Sequence, residues 1–189
     1  MVFPFTRPSW LSQKSAPSQA ERLYAHALAQ ARSVALFDGL GVPDTLDGRF
    51  DALCLHVALV LRRLAREDGA ENSVLIQGVY DAMFADMDRT LREMGVGDLG
   101  VGKRVRRMAE GLMGRAKAYG QGLDAQDDEL LVEALRRNLF GTVAAPDLAA
   151  LQALAGYVRA NDRELMAQDL PDLIDPGPRF APLPAGTPT

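Results

Sequence analysis

The residues whose types and spacing could do chemistry gather in one stretch, Asp81 to Met108: DAMFADMDRTLREMGVGDLGVGKRVRRM. Gly95-Val-Gly97-Asp-Leu-Gly100 has the G-x-G-x-x-G spacing of a dinucleotide loop. Gly97 through Lys103 has the G-x-x-x-x-G-K spacing of a phosphate-binding loop. In both motifs, backbone N–H groups cradle phosphate where a strand turns into a helix. Here a helix-period segment precedes the glycines, and Arg104 stands where the phosphate loop needs Ser or Thr for Mg²⁺. The motifs fail where their mechanism needs them. Four glycines in eight residues read instead as a tight corner between two helices, where another backbone can approach closely.

Asp81, Asp86 and Asp88 supply the carboxylates of a metal site in type but not in direction. On a helix, Asp86 lies ~140° around from Asp81, and no Glu-x-x-His pattern accompanies them. They read as ion-pair partners for arginines of neighbouring helices. Asp44, Asp47 and Asp51 lack the spacing of a calcium loop, and Asp47 reads as an N-cap ahead of Gly48-Arg49-Phe50. Cys54 and His56 sit two apart on a helix, so their side chains diverge by ~200° and form no local nucleophile pair. His56 lies among aliphatic neighbours and reads as a core histidine bonded to a backbone carbonyl. Cys54 reads as a buried thiol. No C-x-x-C-H motif is present for covalent haem. The expectation is therefore no catalytic group, no metal and no cofactor.

Lys103, Arg104, Arg106, Arg107, Arg115 and Lys117 stand against a single acid, Glu110, on one predicted helix. Such a face is able to bind RNA phosphates. The chain as a whole is acidic, with a net charge of −4, which works against DNA or an anionic membrane as partner. The bland reading of the helix is a solvated or internally paired face. The sharp alternative is an RNA- or ribosome-binding adapter.

Helices must position all of these residues. No proline lies between Pro43 and Pro146, while both ends are rich in it, so the middle is free to be helical and the ends are not. Leu75, Val79, Met83, Met87, Leu91 and Met94 recur at three- and four-residue intervals as a core stripe. Gly95 suits the C′ position that ends that helix, and Asp98 the N-cap of the next. Apolar periodicity predicts six helices, near 18–38, 47–66, 73–94, 100–122, 126–139 and 146–168. The last opens at Pro146. No segment alternates with period two, so the expected fold is an all-α, single-domain irregular bundle. An irregular N-terminal arm over 1–17 carries Phe3, Phe5 and Trp10. A Pro-rich, extended and mobile tail is expected over 170–189. No apolar run approaches the ~20 residues of a membrane span, so membrane contact is expected to be peripheral at most.

Four segments together resemble the ubiquinol-cytochrome c chaperone family: LYAHALAQAR (23–32), GVPDTLDGRFDALCLHVALVLRRL (41–64), YDAMFADMDRTLREMGVGDLGVGKRVRRMAEGLMGRAKAY (80–119) and ALRRNLFG (134–141). The resemblance implies a non-enzymatic, all-α assembly factor that binds newly made cytochrome b on the way to respiratory complex III. It implies, from the mitochondrial relatives, a small partner protein and the ribosome as further partners. The chain shows no long N-terminal targeting region of the kind expected in those relatives. That points to a bacterial member working in the cytoplasm, at the inner face of the inner membrane. The expected client-binding surface comprises Asp81, Asp86, Asp88, Arg89, Arg92, Gly95, Gly97, Asp98, Gly100, Lys103 and Arg104. Asp44, Thr45, Asp47 and Arg49 are expected nearby.

Overall fold

The helix α2 (Leu46–Leu64) is buried on all sides from Asp51 to Leu61. A helix apolar all round belongs at the centre of a domain, and the other main helices pack around it. The computed structural model describes residues 17–184; the expected arm with Phe3, Phe5 and Trp10 lies outside them. In chain order the elements are α1 (Gln19–Ala31), a π turn (Ala35–Gly39), α2, α3 (Ala70–Glu93), α4 (Asp98–Asp124), α5 (Glu129–Leu139), α6 (Leu148–Met166) and a short α7 (Leu170–Ile174). α2 touches α1, α3, α4, α5 and α6. The described residues are all-α, as the periodicity predicts, and each of the six expected helices is present. Leu55 and Leu59 are fully buried in the centre. Burying each contributes about 1.5–3 kcal/mol relative to an exposed side chain.

Local chemistry sets the helix ends. Ser18 and Glu21 form a reciprocal capping box on α1 (3.1 and 2.6 Å). The predicted first helix, 18–38, ends early, and the chain winds wider over Ala35–Gly39. The break rotates the inner stripe. Val34, which continues the apolar spacing of Leu23 and Ala27, is 67% exposed, and Leu36 is buried in its place. α2 is capped by Thr45 rather than Asp47: Thr45 Oγ1 accepts from the Gly48 N–H at 3.1 Å. Asp47 sits in the first turn, where its charge favours the helix dipole. α6 starts at Leu148, not Pro146, because the Asp147 carboxylate accepts from the Ala149 and Ala150 N–H groups (3.3 and 3.1 Å).

The Pro-rich C-terminal segment departs from expectation through residue 184. α7 forms within it, and the chain beyond α7 lies against the bundle. Gln168 donates to the Arg179 carbonyl (2.9 Å) and accepts from the Arg179 N–H (2.8 Å), while Asn161 Oδ1 accepts from the Ala181 N–H (2.9 Å). These side-chain amides stand in for a neighbouring strand. Pro171 is tolerated in the first turn of α7, and the prolines beyond it stop a helix without forbidding a packed extended chain. Phe180 meets His56 edge-on, with ring centroids 5.7 Å apart. His56 is a core histidine, as read from its neighbours. Nδ1 contacts the Ala52 carbonyl (2.7 Å) and Nε2 contacts the Tyr157 hydroxyl (2.8 Å), which accepts from Gln30 (2.8 Å). A neutral ring donating from Nδ1 and accepting at Nε2 satisfies the whole chain. Burial holds the imidazole down at about 4.

Candidate functional site

The α3–α4 corner closes as the glycine spacing predicts. Met94 caps α3, and Gly95 follows at φ 81°. The Val96 N–H bonds the Leu91 carbonyl (3.0 Å) and the Gly95 N–H bonds the Arg92 carbonyl (2.9 Å). This is a Schellman closure, which needs a residue at positive φ in the Gly95 position. The next helix is capped by Gly97, not by Asp98. Asp98 is the first helical residue, and its carboxylate is taken by Arg92 instead. Arg92 also holds Asp88 one turn back at 2.6 Å. One guanidinium therefore ties the end of α3 to the start of α4.

The carboxylates of α3 turn to separate partners. Asp81 accepts from Gln77 (2.8 Å) on an exposed face. Asp86 is buried and accepts the Tyr24 hydroxyl of α1 at 2.6 Å. Its charged partner is Arg89 of its own helix, not an arginine of a neighbouring one. Burial, then the bond to Asp86, pushes the Tyr24 hydroxyl up. At the start of α2, Arg49 grips Asp44 with two bonds (2.5 and 3.0 Å) and lies 5.7 Å from the Phe37 ring centroid.

Between these elements lies a groove of about 900 Å³. Its walls are the C-terminal end of α1, the first two turns of α2, the second half of α3, the middle of α4 and the end of α5. Of the expected surface residues, Asp47, Arg49, Asp86 and Arg104 line it. Asp44, Thr45, Asp81, Asp88, Arg89, Arg92, Gly95, Gly97, Asp98, Gly100 and Lys103 do not. Most of these sit at the corner above the groove or on the outer face of α3. The site is therefore split: a glycine corner tied by Arg92, and a groove beside it.

The groove wall carries six arginines, Arg32, Arg49, Arg104, Arg107, Arg115 and Arg137, against three aspartates. Arg115 is committed: its Nη2 lies 2.6 Å from Asp51 Oδ1, and its guanidinium covers Phe50 at 5.7 Å. Burial raises the Asp51 carboxyl to about 6, with Arg115 pulling it partly back. Arg32, Arg104, Arg107 and Arg137 are exposed and make no ion pair among the described residues. Below them the lining is apolar, with Leu46, Leu91, Met87, Met94 and Met108 prominent. Asp51 Oδ1 is satisfied by the Arg115 guanidinium, whose Nε lies buried without a hydrogen-bond partner among the described residues. Cys54 nearby is buried, and burial pushes its thiol up to about 12, away from nucleophilic chemistry.

Spacing puts Arg107 and Arg115 on one basic helix and leaves Arg137 as part of a family-like segment, 134–141, with nothing to bring the three together. Arg32 was visible only as the last residue of a family-like segment. No local signal connects arginines so far apart along the chain; only packing does.

The family model for ubiquinol-cytochrome C chaperone matches residues 38–180, most of the chain. The chain belongs to the ubiquinol-cytochrome c chaperone family. It is 27% identical over 170 residues to Ubiquinol-cytochrome-c reductase complex assembly factor 1 of Xenopus laevis, covering 90% of this chain and 84% of that one. It is 27% identical over 180 residues to the Mus musculus protein of the same description, covering 95% of this chain but 60% of the mouse one. Among solved structures, the Cbp3 homolog from Brucella abortus superposes with a TM-score of 0.76 at 33% identity, over 87% of this chain and 90% of that chain. The matched region contains α2 through α7, and with them the corner and most of the groove.

Proposed function

We propose that this family member is a non-enzymatic chaperone that binds newly made cytochrome b and promotes assembly of respiratory complex III. Family membership over residues 38–180 carries the reading. The relatives it matches are described as assembly factors of the ubiquinol-cytochrome c reductase complex. A concave face of exposed arginines and apolar side chains supports a holding role. In this reading the α3–α4 corner and the start of α2 form the client surface, with Arg92, Asp88 and Asp98 at its rim. No helix among the described residues is long and apolar enough to cross a membrane. The proposed place of action is the cytoplasmic face of the inner membrane, reached by peripheral contact.

The test is a pull-down of the tagged chain from gently solubilised membranes, with the bound proteins identified. Cytochrome b is the expected capture, reduced by Asp88→Ala or Arg92→Ala in a protein that still folds. Ribosomal proteins alone would move the reading to an adapter using the exposed basic side of α4. Capture of neither would sink the chaperone reading.

A further inference from the structure

We infer that the groove beside the corner seats a protein segment in which acidic side chains flank aliphatic ones. The inference rests on the chaperone reading for the identity of the partner, but the groove chemistry stands apart from it. Charge is the first argument. The protein is acidic overall, yet the groove wall holds twice as many arginines as aspartates and neither Lys nor Glu. Two of the three aspartates are already engaged, Asp51 by Arg115 and Asp86 by Tyr24 and Arg89. Arg32, Arg104, Arg107 and Arg137 remain, contributed by α1, α4 and α5. A guanidinium presents a planar fork that fits a carboxylate better than a lysine would. Choosing Arg throughout, from three helices, builds a carboxylate-binding rim.

The floor is the second argument. Met87, Met94 and Met108 line it, with Met94 54% and Leu46 61% exposed. Unbranched thioethers adapt to varied apolar side chains. Shape is the third. A concave space of about 900 Å³ lies at the upper end of the roughly 300–1,000 Å³ typical of enclosed sites; a flat lipid surface does not enter such a space. Single-stranded nucleic acid asks for aromatic platforms on which bases stack. The aromatic lining residue is Phe50, and Arg115 already covers it. An apolar floor beneath a rim of arginines therefore favours a peptide over RNA or lipid.

The test uses the purified full chain and two labelled synthetic peptides, one of Glu and Leu at helical spacing and its Lys-for-Glu counterpart, read by fluorescence anisotropy. The Glu/Leu peptide should bind and the Lys/Leu peptide should not. Binding should weaken as salt rises. The double variant Arg104→Ala/Arg107→Ala should lose about tenfold in affinity or more, with an unchanged melting midpoint. Arg106→Ala/Lys117→Ala, both outside the groove, should bind as the parent does. Equal binding of both peptides, or full affinity in the Arg104→Ala/Arg107→Ala variant, would overturn the inference. So would a parent that ignores the peptide but binds phosphatidylglycerol vesicles through Arg104 and Arg107. Failure of the partner assignment reads out separately. Selective Glu/Leu binding in a chain that captures no complex III subunit supports the groove and removes only its client. Capture of cytochrome b that is indifferent to the Arg104→Ala/Arg107→Ala variant removes only the groove.

Discussion

At the C-terminal end of α2, Arg63 is buried and spends its guanidinium on the Leu165 carbonyl (3.1 Å), the Gln168 carbonyl (2.8 Å) and Glu67 (2.9 Å). Mid-helix, His56, Tyr157 and Gln30 close a chain of bonds, and Asn161 and Gln168 hold the returning backbone. At the N-terminal end of the same helix, Asp51 pairs with Arg115 and Arg49 with Asp44, while Arg32, Arg104, Arg107 and Arg137 of one groove are exposed and make no ion pair among the described residues. One helix thus anchors a region whose charged and amide side chains are spent on the fold and a region where four guanidiniums are left to solvent. An exposed guanidinium is solvated by water and stays available to an incoming carboxylate. Four of them in one concave place are the feature on which the proposed peptide groove rests.

The comparison breaks most visibly if core and groove are not separable. Leu59→Ala at the satisfied end should cost about 2–5 kcal/mol by chemical denaturation, since it removes packed volume the core cannot refill. At a temperature where the variant is still folded, its preference for the Glu/Leu peptide over the Lys/Leu peptide should persist. Loss of that preference in a folded Leu59→Ala protein would mean that the groove and the core behave as one unit.

A smaller effect, of opposite sign at the two ends, should appear with pH. His56 is lowered to about 4 in the fold, against about 6.5 in an unfolded chain. The unfolded chain binds the extra proton between those values, so stability is lost as pH falls through them. Asp51 is raised to about 6, against about 4 unfolded. There the folded chain holds the extra proton, so the penalty of its buried charge is relieved as pH falls through about 6 to 4. Between pH 7 and pH 5 the two contributions are about 2 and about 1 kcal/mol, and they oppose each other. Measured by urea unfolding at both pH values, Asp51→Asn should lose about 1 kcal/mol more than the parent on acidification. His56→Gln should do better than the parent by about 2 kcal/mol on the same change, although it is less stable at neutral pH. Parallel pH profiles for parent and both variants would show that neither group titrates as its surroundings indicate.

The separation between the two ends also explains what was legible in the sequence. The apolar run of α2 and the stripe of α3 announce helices because their partners lie one turn away in the same element. Gly95 is legible for the same reason: a positive-φ residue after a helical stripe has few other uses. Thr45 and Asp47 are both good N-cap residues two positions apart, and only the position of Gly48 in the fold decides between them. Val34 continues the α1 stripe on paper, yet the π turn hands the buried place to Leu36. Asn161 and Gln168 look like ordinary surface amides in sequence, so nothing in the chain itself says that they hold residues 179–181. The groove is hardest of all. Arg32, Arg104 and Arg137 come from three helices, and their lack of partners is a property of packing that no spacing records.

Arg92→Ala tests the rim where the corner meets the rest of the proposed client surface, and its global effect should be the smallest. Arg92 is exposed and paired with Asp88 and Asp98, and exposed pairs contribute little to overall stability. The melting midpoint should therefore stay where it is. The local effect is different in kind. α4 begins with Asp98 and has Gly97 as a cap that offers no side chain, followed by Gly100 and Gly102. Glycine weakens a helix wherever it sits in the interior. Buried Val101 packs that first turn against the fold, and the tie through Arg92 is its charged restraint from outside. Without it, amides at the start of α4 should exchange hydrogen faster while those of α2 remain protected. Faster exchange there, together with weaker client capture, would mark the corner as a docking rim held in shape by one guanidinium. Unchanged exchange would mean that the Schellman closure at Gly95 suffices to order the corner, and that Arg92, if it matters to the client, meets it directly.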